Sequence, residues 1–263
     1  MRTRQEFFGD YLKYASVAHS LWRCYECERF AQEGKLKGPV LDLGCGDGFF
    51  AETVFGHLDT GIDLDAGEVG RAIKRGAYDE ALVVSATDMP FKNNSYNTVI
   101  SNCVMEHIPD IDAVLSEVKR VLKPGGRLIT SVPSEKWDSD SIYQKMFTAV
   151  GLNQGAQWYN RVCNKVSKHY HVNDLEVWKK RFKKAGLKLE KAEYIVPMKS
   201  YHTFERWFIP AIPSKLFKAL FNRWVLGPRF WAPGFYNWLF KDLLAESDNS
   251  SGAGYYLVAK KVK

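Results

Sequence analysis

The chain has 263 residues, 46% hydrophobic and 14% aromatic, with 37 Lys and Arg against 30 Asp and Glu and a formal net charge of +7. That apolar content supports a full core and excludes disorder as the main state. The length suits one large domain carrying insertions. No stretch approaches about 18 uninterrupted apolar residues, the first residues lack the apolar run and cleavage site of a signal peptide, and five irregularly spaced cysteines make no disulfide framework. A cytoplasmic setting is the expectation.

Apolar and aromatic residues at Phe7, Tyr11, Tyr14, Ala18, Leu21, Trp22, Tyr25 and Phe30 recur near a 3.6 period, predicting a helical cap within 1–38. Val40-Leu-Asp-Leu reads as a buried strand that stops at a glycine cluster, and a helix should follow over Phe49–Phe55. Thr60-Gly-Ile-Asp-Leu closes a second strand, and Asp65 with Glu68 marks a capped helix through Arg75. Ala81-Leu-Val-Val and Asn97–Ser101 are a third and fourth strand. Asp110–Leu122 is a strongly amphipathic helix ended by Pro124-Gly-Gly, and Arg127–Val132 is a fifth strand. Alternation of this kind implies a parallel sheet with right-handed crossovers.

After Pro133 the rhythm changes. Residues 134–172 read as an insertion without clear period. Asn173 is expected to cap a helix whose buried face is Leu175, Trp178 and Phe182, followed by a strand over Leu187–Val196. Residues 197–250 hold 13 of the 37 aromatics and five of the ten prolines, and Gly254–Val262 is a final strand.

The glycines of Val40-Leu-Asp-Leu-Gly-Cys-Gly-Asp-Gly stand at 44, 46 and 48, where a turn can take positive φ and a ligand can approach the backbone. A dinucleotide fingerprint needs its third glycine at 49, which is Phe, and Asp42 would repel a pyrophosphate. An acid there suits a cationic ligand such as S-adenosylmethionine (SAM), with its sulfonium and ammonium groups. Asp63, 21 residues on, can accept both hydroxyls of a ribose. With Asp88-Met-Pro-Phe, Ser95-Tyr-Asn-Thr-Val-Ile-Ser, Glu106-His107 and Arg120-Val-Leu-Lys-Pro-Gly-Gly, the stretch 40–133 resembles the class I SAM-dependent methyltransferases, in particular the group that includes ubiquinone and menaquinone C-methyltransferases.

The resemblance implies a Rossmann-like seven-stranded α/β sheet of order 3-2-1-4-5-7-6 with the seventh strand antiparallel. N-terminal helices (1–38), a SAM-binding core (39–133), a core helix and strand (173–196), two helical, aromatic insertions (134–172 and 197–250) and the final strand (251–263) would make one domain. It also implies that Asp42, Gly44, Cys45 and Gly46 line the methionine part of SAM. Asp63 would hold the ribose, Leu64 would pack near adenine, and Ser85, Ala86, Thr87 and Asp88 would flank the base. The family usually has Asp where Ser85 stands, so Asp88 is the alternative acceptor. Asn102 and Cys103 would sit near the transferred methyl, and Arg23 on the N-terminal helix is a candidate partner of the SAM carboxylate.

His107, His169 and His171 are candidate general bases. His169 and His171 would share a face of an extended chain. The alternative for each is local packing. Cys24 and Cys27 have zinc-like spacing without a second pair, so no metal is expected. Residues 197–250 suit a lid, a membrane contact, or ordinary core or a dimer surface. Leu216, Phe217, Leu220, Phe221, Trp224 and Val225 form an amphipathic face within 213–226, with Lys215, Lys218, Arg223 and Arg229 suited to lipid head groups. The expected acceptor is a small or lipid-like molecule methylated on oxygen or carbon. The alternatives are a SAM-binding regulatory protein without turnover, and an RNA or protein methyltransferase. Nucleic acid is disfavoured by dispersed basic residues and by Ser101-Asn-Cys-Val in place of an Asn-Pro-Pro-Tyr motif.

Overall fold

The computed structural model describes residues 2–208 and 232–262. Seven strands form one sheet: β1 (Val40–Leu43), β2 (Leu58–Asp63), β3 (Tyr78–Val83), β4 (Tyr96–Asn102), β5 (Leu122–Pro133), β6 (Leu187–Pro197) and β7 (Gly252–Lys261). Their order is β3-β2-β1-β4-β5-β7-β6. The strands from β3 to β5 are parallel, and β7 runs antiparallel to both its neighbours, as expected from the sequence. β1 lies between β2 and β4, where the strand order reverses, and a crevice opens beyond the carboxyl ends of strands at such a point.

Strand alternation divides the core into two layers. On one face, Val40, Tyr256 and Val258 pack against α1 (Arg4–Tyr14) and α2 (Val17–Ala31). On the other, Leu41, Leu43, Tyr255 and Leu257 meet α5 (Ile111–Val121) and α9 (Leu175–Lys184), with Trp178 and Phe182 fully buried. The period-2 geometry of a strand sends Asp42 to the same face as Val40, towards α2.

One local expectation needed correction, the cap of α9, and two were sharpened. The N-terminal helices are two, parted at Ala15. Ala15 is extended (φ −126°, ψ 176°), and the Ser16 hydroxyl caps α2 by accepting from His19 N at 3.4 Å. α9 is capped by Asp174, whose carboxylate accepts from Val177 N at 2.8 Å, and not by Asn173. The insertion 134–172 is helical, as the fold class implied, and holds α6 (Lys136–Ser139), α7 (Ile142–Ala149) and α8 (Asn153–Ser167). Their apolar residues mostly face outward, and only Ala156 of these three helices is buried, so no core-facing period exists to be read.

By contrast, α3 (Phe49–Phe55) and α4 (Ala66–Arg75) lie as read. The Asp65 carboxylate accepts from Gly67 and Glu68 at 2.7 and 3.0 Å. Residues 198–208 form a helix, α10, and α11 (Ala232–Leu239) and α12 (Lys241–Leu244) lead into β7. The proposed amphipathic face within 213–226 lies outside the described residues.

α2 is bolted over the sheet near the crevice. Arg29 pairs with Glu193 at 2.6 Å and lies over the Tyr256 ring at 3.9 Å, and the Tyr25 hydroxyl is 2.6 Å from Ser200 Oγ. This rigid placement brings Trp22, Arg23 and Glu26 to the ends of β4 and β5.

Candidate active site

The β1–α3 turn is held open by backbone conformation. Gly44 has φ +80°, and a Cβ there would lie 2.3 Å from a Val104 methyl. Its N–H and that of Cys45 both donate to the Ile62 carbonyl, at 2.8 and 2.9 Å, tying the turn to β2. Gly46 has φ +53°, and a Cβ built on it would meet nothing within 4 Å. The turn therefore presents bare backbone to open space.

A cavity of about 230 Å³ lies there, lined by Asp42, Gly44, Cys45, Gly46, Asp47 and Asn102 and roofed by Tyr11, Tyr14, His19 and Arg23. Asp42 is 2% exposed and accepts from the Tyr78 hydroxyl at 2.6 Å. Burial pushes its carboxyl up to about 7; the Tyr78 hydrogen bond opposes that rise and nearby Asp63 adds to it. Asp47 accepts from the Tyr14 hydroxyl at 2.8 Å, and Tyr14 stacks on Phe49 at 4.1 Å. Acidic walls, a glycine turn and aromatic covers fit a cationic nucleoside.

Asp63 sits at the tip of β2. Its carboxylate accepts from Gly46 N at 3.0 Å and Asp65 N at 2.9 Å. Leu64, 70% exposed, follows it. Ser85, Ala86, Thr87 and Asp88 lie just past β3. The Ser85 and Thr87 hydroxyls are 2.7 Å apart, Ala86 is buried, and the exposed Asp88 donates its N–H to the Ser85 carbonyl. The sequence-selected cofactor residues on the strands thus gather at the carboxyl ends of β3, β2, β1 and β4.

At the end of β4 the site changes character. Glu26, with no exposed surface, collects donors from four directions. Trp22 Nε1, Arg23, Cys103 Sγ and Ser131 Oγ reach it at 2.9, 2.7, 2.7 and 3.0 Å. The amide of Asn102, oriented by this network, donates to both Glu26 oxygens at 3.1 Å and accepts from Arg23 at 3.0 Å. Cys103 has φ +51°, and burial holds its thiol well above its usual value. It is a hydrogen-bond donor there, not a nucleophile. Arg23 is held by Glu26 and borders the cofactor cavity on one side and a second cavity on the other.

The second cavity, about 220 Å³, is lined by Trp22, Trp137, Phe204 and Phe208 together with Cys103, Glu106, His107 and His169. Glu106 is 1% exposed, and its Oε2 has no hydrogen-bond partner among the described residues. Burial pushes its carboxyl up to about 8. His107 Nδ1 is 3.2 Å from the Lys168 carbonyl, and burial lowers its pKa. His169 packs against His107 and Trp137, with ring centroids 5.1 and 4.9 Å apart. Burial, with His107 beside it, depresses His169 to about 3, which keeps the imidazole neutral.

His171 goes elsewhere. Its Nε2 lies 2.9 and 3.1 Å from the carbonyls of Ile108 and Pro109, so it anchors the connection into α9, and the expected shared face with His169 does not form. Tyr170, between them, donates its N–H to the Glu106 carbonyl at 2.8 Å, which ties this stretch to the chain that follows β4. Cys24 and Cys27 are buried in α2, one turn apart. Glu26, Tyr78 and Trp137 were not marked as site residues. Only Glu26 carried a sequence signal, an acid at i+3 from Arg23 on a helix otherwise apolar on that side.

Residues 41–130 match the family model described as a methyltransferase domain. A sterol 24-C-methyltransferase of Gibberella zeae is 34% identical over 117 residues, 40% of this chain and 31% of that protein. A demethylmenaquinone methyltransferase of Symbiobacterium thermophilum is 32% identical over 120 residues, 41% of this chain and 48% of that protein. The match thus spans half or less of these relatives' length. Among solved structures, a SAM-dependent methyltransferase from Thermotoga maritima shares the fold with a TM-score of 0.57 at 17% identity, covering 98% of this chain and 97% of that one.

Proposed function

We propose that the chain is a class I SAM-dependent methyltransferase that transfers a methyl group to a small or lipid-like acceptor, on oxygen or carbon, a reading supported by the methyltransferase-domain match over 41–130 and by the strand order. The observation that carries this reading is the pair of adjoining cavities with Arg23 and His19 between them: one acidic and glycine-walled, one aromatic. When bound, SAM supplies an electrophilic methyl on a sulfonium.

The chain's part is alignment and water exclusion. Asp42 and the Gly44–Gly46 backbone would hold the methionine portion, Asp63 the ribose, and the Ser85–Asp88 segment the base. Asn102 and Cys103, locked by Glu26, would form the wall between donor and acceptor. Arg23 lies where it would meet the donor's carboxylate. An oxygen acceptor gains the methyl as the carbon–sulfur bond breaks, and its proton passes to a base. His107 Nε2 is the candidate, because the Lys168 carbonyl fixes the proton on Nδ1; His169, neutral beside it, is the second.

The apolar character of the acceptor is supported by the tryptophan and phenylalanine lining. Residues 141–173 hold four basic residues and no acidic one. Met146, Val150, Leu152, Trp158 and Val166 on that stretch are more than half exposed, as is Trp238 on α11. This suits a peripheral approach to an anionic lipid surface, through both this stretch and 197–250. No described helix is long and apolar enough to cross a membrane.

The test is release of S-adenosylhomocysteine when quinol, sterol and phenolic acceptors are offered. SAM binding without release across these classes would favour a regulatory SAM-binding role.

A further inference from the structure

We propose that Glu106, His107 and His169 form a binding site for one divalent first-row metal ion, zinc by its donor set, on the wall of the aromatic cavity. One ligand atom from each residue lies within 4.8 Å of the others. Glu106 Oε1 and His107 Nε2 are 3.8 Å apart. Around a tetrahedral ion with bonds of about 2.0–2.1 Å, ligand atoms stand about 3.3 Å apart, so closure requires side-chain shifts of about an ångström.

Two independent features point to a ligand. Glu106 Oε2 and His169 Nδ1 are both buried and without a hydrogen-bond partner among the described residues, a costly state for polar atoms. The cluster is also braced from outside. The Lys168 carbonyl takes the His107 Nδ1 proton, which leaves the Nε2 lone pair free to ligate, the arrangement that imidazole ligands of metals commonly use. Tyr170 N donates to the Glu106 carbonyl at 2.8 Å, and His169 N to the Asn164 carbonyl at 2.8 Å. The turn that carries His169 is thereby pinned to the main chain that carries Glu106.

The surrounding charges permit a cation. Two cationic groups lie nearby: Arg23, whose charge is matched by Glu26 at 2.7 Å, and Lys168, whose side chain is exposed to solvent. Two imidazoles and one carboxylate suit zinc, cobalt or ferrous iron over magnesium or calcium, which prefer oxygen alone. Three protein ligands leave a fourth position open, facing the cavity. There an acceptor's oxygen would bind, a role that rests on the methyl-transfer reading; with the ion in place His107 and His169 would be ligands and not bases. Ion binding itself does not.

The experiment is zinc chloride titration of the full chain, without SAM or acceptor, followed by calorimetry and by metal analysis after desalting. One zinc per chain is expected. Glu106→Gln and His169→Ala should each weaken it at least tenfold, with His57→Ala, on the exposed far side, unchanged. Cobalt should give visible bands of tetrahedral intensity that shift when an oxygen acceptor is added. Circular dichroism of each variant separates lost binding from lost folding. Absence of stoichiometric uptake, or uptake that both folded variants keep, overturns the site. Zinc uptake without turnover leaves the site standing and removes the transfer reading; metal-free turnover with no uptake does the reverse.

Discussion

The glycine-walled side of the cleft, proposed for the cofactor, and the aromatic side, proposed for the acceptor, are built from different materials. On the cofactor side the ligand-facing groups are largely backbone: a glycine turn tied to β2, with strand-tip carboxylates beside it. On the acceptor side they are side chains brought from α2, the β4 end, the α8 turn and α10, joined through Glu26 and Glu106. Backbone geometry set by a few local residues is hard to alter without unfolding the turn. A side-chain network can be changed one member at a time, so acceptor specificity can diverge while the cofactor site stays fixed.

The largest expected effect tests the backbone side. Gly44→Ala forces an L-residue to φ +80° and a methyl into Val104, and should cost about 2–5 kcal/mol in chemical denaturation. A loss below 1 kcal/mol would show the turn to be softer than its contacts imply. Next, Glu26→Ala removes the hub of the side-chain side and strands Arg23. The expected loss is about 3 kcal/mol, measured by the same method, with Glu26→Gln recovering part of it.

Asp63→Ala should raise the SAM dissociation constant ten- to hundredfold, equivalent to about 1.4–2.7 kcal/mol, by calorimetry. Unchanged affinity would remove Asp63 from the cofactor site. Trp137→Ala should separate the two sides cleanly, raising acceptor KM about tenfold while SAM affinity stays constant. If SAM affinity falls as much, the two cavities are one functional unit.

The smallest effect concerns Asp42. Its carboxyl is raised to about 7 in the folded chain, so the ligand-free fold gains stability as pH falls from 7 towards the unfolded value near 4, and loses it as pH rises through 7. A cationic ligand favours the ionised form. SAM affinity should therefore rise severalfold between pH 6 and 8, with proton release detectable by calorimetry in buffers of different ionisation enthalpy. A flat profile would mean that Asp42 keeps its proton state on binding.

The residues chosen from sequence fared according to how local their role is. Asp65 capped α4 as read, because a cap involves only three neighbouring residues. Gly44, Gly46 and Asp63 fell together because a strand–turn–helix unit fixes its own geometry. Ser16 broke a helix that period alone would continue, since its hydroxyl offers the backbone a competing bond. His169 and His171 were inseparable in sequence, yet one lines the cavity and the other holds two carbonyls, because the partners of His171, Ile108 and Pro109, lie 63 and 62 residues away in the chain.

What the sequence by itself determined is the core strands and the place of the glycine turn, because strand periodicity, glycine spacing and strand-tip acids act over a few residues; the order of the sheet followed only from the resemblance of 40–133 to a known family. Only the tertiary structure decided the acceptor side. Glu26 meets Cys103 and Ser131 across 77 and 105 residues of chain, and Trp137 meets Trp22 across more than a hundred. No local pattern announces such contacts, because burial, and not spacing, selects the partners.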